Sequence, residues 1–464
     1  MRVLYEPVYS TFIPDNRDED RAFKQALTFY DPKSQWNPKY RMGYWDGCVR
    51  FWKDNKFCTG LISYAEEKLG KKFVVEDLPK AFPHKLTPDI LNNLSFTGKY
   101  SYQYDVALSA LEAKRGILWL ATNSGKTAVA AGMIQALDIP TLFLVESVDL
   151  MRQTYDVFKA ETNLDIGMLG GGQDDIRFVT VAVTKSALIR SKEKGHPFKS
   201  FIRDVQMVIS DECHGASNYT YSTVLQKCIN ANYRYGLSGT PLDRGEIDSM
   251  RLIAYTGPVI ERVTNTELID LGVSAKPTVY MHKADTTGCA NNFHANYPEA
   301  YSELIVYNDA RNKQIVDLVK KGLAEDKIVM ILVKQIAHGR VLQMRLESEG
   351  IDVDFCFGGS GKEERYININ KLRKKISKVL IMSRIGEIGI DIPSIDVLIR
   401  ASGGKSTVST LQSIGRGLRA KKGQDNVIDY HDFIDSGNSY LNSHSKARIK
   451  DYEREEFEIK YDNN

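Results

Sequence analysis

The chain has 464 residues, with 62 lysines and arginines against 59 aspartates and glutamates, and a formal net charge of +3. Hydrophobic side chains make up 42% and charged ones 26%, a composition that excludes a collagen, a disordered tail, a coiled-coil rod and a disulfide mini-protein. At roughly 100–200 residues per domain the length asks for two to four domains, and a near-neutral sum argues against a histone-like binder without excluding nucleic acid, because steering depends on where charge sits.

The N-terminus, MRVLYEPVYSTFIPD, has neither the apolar core nor the small-residue cleavage site of a signal peptide. No apolar run approaches the ~18–20 residues that span a bilayer, so the expectation is a cytoplasmic protein that meets no membrane. Cys48, Cys58, Cys213, Cys228, Cys289 and Cys356 lie far apart without a C-x-x-C pair, which argues against zinc and against a disulfide framework.

Residues 1–92 read as a small α+β accessory domain, rich in aromatics and turns. Trp36, Tyr40, Tyr44, Trp45 and Trp52 alternate there with Lys39, Arg41, Arg50 and Lys53. Cations among aromatics suit phosphate contact and base stacking, and equally the core of so small a domain. Lys39, Arg41 and Arg50 are the expected DNA-facing side chains, and Trp45 an expected core residue. CVRFW (48–52) predicts a short strand, and FCTGLISYAEEKL (57–69) a strand leading into a helix. Pro79, Pro83 and the polar stretch to Lys99 predict a linker.

From Tyr102 short apolar runs recur: GILWLA (116–121), TLFLVE (141–146), FVTVAV (178–183) and VQMVIS (205–210). Helical segments such as TAVAAGMIQAL (127–137) and SVDLMRQTYDVFK (147–159) separate them. A second series follows Lys276: IVMILV (328–333), DVDFCF (352–357), KVLIMS (378–383) and VLIRA (397–401). Doubly buried strands alternating with helices predict parallel sheets. The fold class is therefore α/β, with domains over 93–275 and 276–464. The mixed-charge tail SKARIKDYEREEFEIKYDNN (445–464) predicts an exposed helix.

Two motifs carry chemistry. Ala121-Thr122-Asn123-Ser124-Gly125-Lys126-Thr127 follows an apolar strand and opens a helix, the context a phosphate loop needs. Backbone amides and the helix N-terminus attract phosphate oxygens. Lys126 adds a full charge at the β/γ-phosphates, and the Thr127 hydroxyl suits Mg²⁺. Leu120 stands where the strict pattern has glycine. Asn123 replaces another, and asparagine tolerates the left-handed region. Asp211-Glu212-Cys213-His214 ends the run VQMVIS, where an ATPase holds metal through an aspartate and activates water through a glutamate.

With these motifs and their order, the chain resembles the DExH class of superfamily 2 helicases. LVESVDLMRQ (144–153) and VAVTKSAL (181–188) are similar to motifs Ia and Ib, and Ser238-Gly239-Thr240-Pro241 to motif III. ILVKQIAHG (331–339), SRIGEIGIDIPSID (383–396) and Gln412-Ser413-Ile414-Gly415-Arg416-Gly417-Leu418-Arg419 resemble motifs IV, V and VI. The nearest likeness is to the phage UvsW-type branch-migration helicases, through residues 37–50 and Gly170-Gly171-Gly172 with Asp174-Asp175; RecG and XPB are more distant. The resemblance implies two tandem RecA-like motor domains, ATP and Mg²⁺ as cofactors, and a monomeric motor acting on branched DNA with single-stranded regions, RNA–DNA hybrids included.

It also implies site roles. Gln103 senses the nucleotide, and Thr122, Asn123, Ser124, Gly125, Lys126, Thr127 and Asp391 bind it. Thr127 and Asp211 hold Mg²⁺. Glu212 acts on water, and Gln412 positions the arginine fingers Arg416 and Arg419. His214, Ser238 and Thr240 couple hydrolysis to movement. Arg152, Thr184, Lys185, Ser383 and Arg384 touch the nucleic-acid backbone, helped by a basic stretch over 400–424 (Arg400, Lys405, Arg416, Arg419, Lys421, Lys422). The run KLRKKISK (371–378) reads as a solvated helix face. Two alternatives stay open: a DExH RNA helicase, and the translocase subunit of a restriction system, whose nuclease would have to draw on Asp54 and Glu66-Glu67-Lys68. A non-catalytic binding module fits least, because every motor residue is present.

Overall fold

The computed structural model describes residues 1–77, 85–213, 219–242, 245–289, 296–383, 395–405 and 427–462. The chain divides into two compact units, residues 1–120 with 125–262, and residues 263–464 with 121–124.

The first unit begins with short strands: β1 (Arg2–Leu4), β2 (Tyr9–Ile13), β3 (Thr28–Tyr30), β4 (Cys48–Arg50), β5 (Trp52–Lys53), β6 (Lys56–Cys58) and β7 (Val74–Glu76). Five form a mixed sheet in the order β5–β6–β2–β1–β7, and β3 with β4 makes a separate ribbon. The segment read as one strand, CVRFW, is thus divided between ribbon and sheet, with Phe51 buried at the join. Alternation along β2 drives Phe12 inward, where it stacks on Phe23 at 3.8 Å between ring centroids. Phe57 meets Phe23 edge-on at 4.9 Å. The same core takes in Ile253 and Ala254 of the helix Glu246–Tyr255. Gly60 makes that approach feasible, since a Cβ there would lie 2.0 Å from the Ile253 carbonyl oxygen.

Residues 85–99 are not a linker. Leu86, Leu91 and Phe96 are buried, and Phe96 lies across Gly132, where a Cβ would come within 2.5 Å of its ring. The Glu161 carboxylate accepts the backbone N–H groups of Asn93 and Leu94 at 2.8 and 2.7 Å. Polar composition misled here because those polar groups are satisfied against the neighbouring helix rather than by water.

A larger sheet follows: β8 (Arg115–Leu120), β9 (Thr141–Val145), β10 (Ile166–Gly170), β11 (Gln173–Asp174), β12 (Val179–Val183), β13 (Met207–Asp211), β14 (Tyr233–Ser238) and β15 (Val259–Val263). The order is β11–β10–β12–β9–β13–β14–β8–β15. From β10 to β8 the neighbours are parallel. Every residue of β9, β12 and β13 is buried, as apolar runs without alternation require. Arg234 is buried with no carboxylate partner among the described residues; its guanidinium donates to the carbonyls of Leu225, Cys228 and Tyr255 at 2.6, 3.0 and 2.9 Å. Those carbonyls lie at or just past helix C-termini, where backbone acceptors have capacity to spare, and burial lowers the Arg234 pKa to about 10.

The second unit is a wholly parallel sheet built from β16 (Lys276–Lys283), β17 (Val329–Val333), β18 (Asp354–Cys356), β19 (Val379–Ser383), β20 (Val397–Arg400), β21 (Val427–Ile434) and β22 (Glu458–Asp462). Its order is β18–β19–β17–β20–β21–β16–β22. The C-terminal tail is not an exposed helix. The helix Ser439–Arg454 buries Leu441, Ser445, Arg448, Asp451 and Tyr452, and the chain then enters the sheet as β22. Arg448 pairs with Asp432 at 2.7 Å, both side chains fully buried, and Tyr452 donates to the same carboxylate at 2.6 Å. Burial opposes the Asp432 charge, but Arg448 and Arg400 prevail and hold its pKa below the ordinary value. Arg400 itself is buried and belongs to this internal cluster, not to a surface facing DNA. A charged sequence reads as exposed only while its charges lack partners inside.

Losing one partner of a buried pair strands the other. Arg448→Met is expected to destabilise the second unit by about 3–5 kcal/mol, read as a lowered denaturant midpoint; an unchanged midpoint would show that the pair contributes nothing net.

Candidate nucleotide site and nucleic-acid contacts

The strands β8, β13 and β14 are closed in by helices, so polar groups leave this sheet at strand ends. Asp211 pairs in register with Leu237, and Ser238 with Trp119. The carboxyl ends of β13, β14 and β8 therefore lie side by side. They deliver the Asp211-Glu212 pair, the Ser238-Gly239-Thr240 turn and the Gly125-Lys126-Thr127 segment to one edge.

Asn123 and Gly125 adopt left-handed backbone, with φ of +71° and +79°, and Ser124 between them is buried. Lys126 opens the helix Lys126–Leu137, whose first N–H groups carry the partial positive charge that anions seek. Gln103, from the helix Tyr102–Ala113, is buried. Its amide nitrogen would lie 2.2 Å from a Cβ placed on Gly125. Gly125 is thus needed twice, for its φ and for the room the glutamine takes.

Lys126 Nζ lies 3.2 Å from Glu212 Oε1. Burial disfavours the ammonium, but Glu212 and Asp211 outweigh it and raise the Lys126 pKa above the ordinary lysine value. Glu212 stands in the left-handed region at φ +47°, ending the strand, and its N–H donates to Asp211 Oδ1 at 3.0 Å. Cys213 is fully buried and its thiol pKa is pushed well up, first by that burial. It packs on Gly236, where a Cβ would fall 2.8 Å from its sulfur. It is a packing residue and not a ligand or nucleophile. Ser238 Oγ accepts the Thr240 N–H at 3.1 Å. The Thr240 hydroxyl is buried with no hydrogen-bond partner among the described residues.

Trp119, which its apolar run marked only as a strand residue, donates Nε1–H to the Gly239 carbonyl at 2.8 Å, and the Arg262 guanidinium lies 4.6 Å from its ring centroid. It ties β8 to the turn after β14. The available signal was chemical: an indole N–H inside a buried strand must find an acceptor.

Among the expected backbone contacts, Arg152 and Lys185 are exposed, as are Lys39, Arg41 and Arg50. Arg50 forms an ion pair with Asp46. Thr184 is buried, and its hydroxyl donates to the Val145 carbonyl at 3.0 Å, joining the ends of β12 and β9. Ser383 is buried as the last residue of β19. His214, Arg384, Asp391, Gln412, Arg416 and Arg419 lie outside the described residues. Of the nuclease alternative, Glu66 accepts the Phe73 N–H at 2.9 Å and pairs with Lys72 at 2.7 Å. Its carboxylate is thereby committed to the fold.

Residues 89–243 match the family model described as type III restriction enzyme, res subunit, and residues 310–421 match helicase conserved C-terminal domain. The chain is 24% identical over 500 aligned positions to the ATP-dependent DNA helicase uvsW of Enterobacteria phage T4, covering 95% of each. It is 25% identical over 365 positions to the DNA 3'-5' translocase XPB2 of Sulfurisphaera tokodaii, covering 71% of this chain and 80% of that one. The solved structure of S. cerevisiae Dbp5 bound to RNA and ADP BeF3 superposes with a TM-score of 0.56 at 16% identity, over 82% of this chain and 94% of the other; that likeness is one of fold.

A methyl at residue 125 must displace the Gln103 amide and occupy strained backbone. Gly125→Ala is therefore expected to weaken binding of a fluorescent ATP analogue by about tenfold or more, from a strain of order 1–3 kcal/mol. Parental affinity in that variant would remove the Gln103–Gly125 contact from the nucleotide site.

Proposed function

Since the chain belongs to superfamily 2 of the helicases, with two RecA-like motor domains that hydrolyse ATP, we propose that it is a DNA translocase that remodels branched duplexes. Its substrates in this reading are forks, four-way junctions, D-loops and R-loops, met during phage-type replication, recombination and repair in a host cytoplasm. One observation carries the reading furthest. The match to a relative named as a DNA helicase extends over 95% of both chains, and so takes in most of the N-terminal 92 residues as well as the motor. Among the described residues no helix is long and apolar enough to cross a membrane.

The chemistry follows from the strand-end cluster. Before nucleotide arrives, Lys126 is held by Glu212. Phosphate oxygens of ATP compete for the ammonium, at the amides of residues 122–127, with Gln103 against the loop. Lys126 then leaves Glu212, which becomes free to act as a base. Water attacks the γ-phosphorus, its proton passes to Glu212, and the bond to the ADP oxygen breaks. Thr127 and Asp211 would hold Mg²⁺ through hydroxyl and carboxylate oxygens, and the ion would supply charge neutralisation at the phosphates. Arg416 and Arg419, positioned by Gln412, add fixed positive charge to the transferring group, and Asp391 holds the nucleotide from the second domain. His214, Ser238 and Thr240 pass the change to the nucleic-acid side, where Lys39, Arg41, Arg50, Arg152, Lys185 and Arg384 meet phosphates. Thr184 and Ser383 contribute through the backbone they hold. The working motor is a monomer.

At one fixed salt concentration, ATPase stimulation is expected to be several-fold greater with forked or four-way DNA than with single-stranded RNA. A profile that prefers RNA would replace this reading with an RNA helicase.

A further inference from the structure

The ribbon of β3 and β4 pairs Thr28 with Arg50 and Tyr30 with Cys48, and the loop between them folds into a tight lobe. Asp31 N–H bonds the Gly47 carbonyl at 2.8 Å, and Tyr44 N–H the Lys39 carbonyl at 2.8 Å. Gly43 and Gly47 bracket Tyr44-Trp45-Asp46 with φ of +73° and +79°. A Cβ on Gly47 would strike the rings of Tyr30 and Tyr40 at 2.8 and 3.0 Å. Trp45 is held inward: Tyr40 packs against it with centroids 6.3 Å apart, and its Nε1–H bonds the Cys48 carbonyl at 2.8 Å. Arg41 Nε donates to the Gln35 carbonyl at 2.9 Å.

Within so well-bonded a lobe, Trp36 and Tyr44 are left 71% and 81% exposed. Nothing in the packing calls for either ring, and leaving them in water forgoes the burial that makes aromatics stabilising. The same loop exposes the cations Lys33, Lys39 and Arg41, and residues 32–45 contain no carboxylate. Protein-docking patches favour aromatics and arginine but are depleted in lysine, and two of these three cations are lysines. Projecting rings among cations are instead what single-stranded nucleic acid selects, because every base offers a π-face and every linkage a phosphate.

We infer that Trp36 and Tyr44 form a stacking platform for unpaired bases at a DNA branch, with Lys33, Lys39 and Arg41 on the adjoining phosphates. The inference rests on the DNA reading above and adds to it the element that engages the opened strand.

The test compares the parent, Trp36→Ala/Tyr44→Ala and Trp36→Phe/Tyr44→Phe. Each is titrated with a fork bearing unpaired arms and 2-aminopurine beside the junction, and with a blunt duplex. The double alanine variant is expected to bind the fork about tenfold more weakly, the scale of one or two lost base–aromatic stacks. It should lose the 2-aminopurine response, keep its blunt-duplex affinity, DNA-free ATPase and thermal midpoint, and be rescued by the phenylalanine variant. Parental fork binding by the alanine variant would overturn the platform, as would an equal loss on fork and blunt duplex, or a change in oligomeric mass alone. A parent that responds to no DNA would overturn the DNA reading itself, and the parental titration reports that separately.

Discussion

The contact between Lys126 and Glu212, 3.2 Å long at the carboxyl ends of parallel strands, is the constraint around which the first unit is arranged. A lysine that begins a helix and a glutamate that ends a strand can meet only if β8 and β13 stop at the same level, with β14 between them. Largely buried strands favour this, because the acidic pair and the phosphate-loop lysine are left at the ends where the chain leaves the sheet. The charged pair is also poised. Burial disfavours it and its two charges sustain it.

Much of this was legible in the sequence because it is written in local patterns. The runs at 116–121, 141–146, 178–183 and 205–210 became β8, β9, β12 and β13 to within a residue or two, and the phosphate-loop helix runs Lys126–Leu137. The Gln103 side chain lies against Gly125 of the loop, a contact between segments that no local pattern encodes. Contacts between distant segments were not legible. The polar stretch 85–99 packs on Gly132 and Glu161, and the charged tail hides Arg448 against Asp432, because the partners that satisfy those groups are far away in sequence. Arg400 misled for the same reason, since a basic residue near a basic run is exposed only when no carboxylate waits inside. Trp119 was missed because its role depends on a carbonyl that β14 supplies.

The small N-terminal sheet shares a core with the helix Glu246–Tyr255 through Gly60. Its exposed lobe is thereby carried on the same compact unit as Lys126 and Glu212. The lobe and the Lys126–Glu212 pair thus share one compact unit through the core that the helix Glu246–Tyr255 completes. Glycines recur wherever this unit draws its parts close, at 60, 125, 132 and 236, and each is explained by the atom a Cβ would meet.

In the proposed cycle Glu212 exchanges its salt bridge for a catalytic role while Lys126 turns to phosphate. Single-turnover hydrolysis by Glu212→Gln, measured beside equilibrium ATP binding, tests it most directly. Retained or tighter ATP binding is expected, since the lysine is no longer held by a charge, with hydrolysis reduced by at least about 10²-fold, the lower end of general-base contributions. Hydrolysis at the parental rate would contradict it.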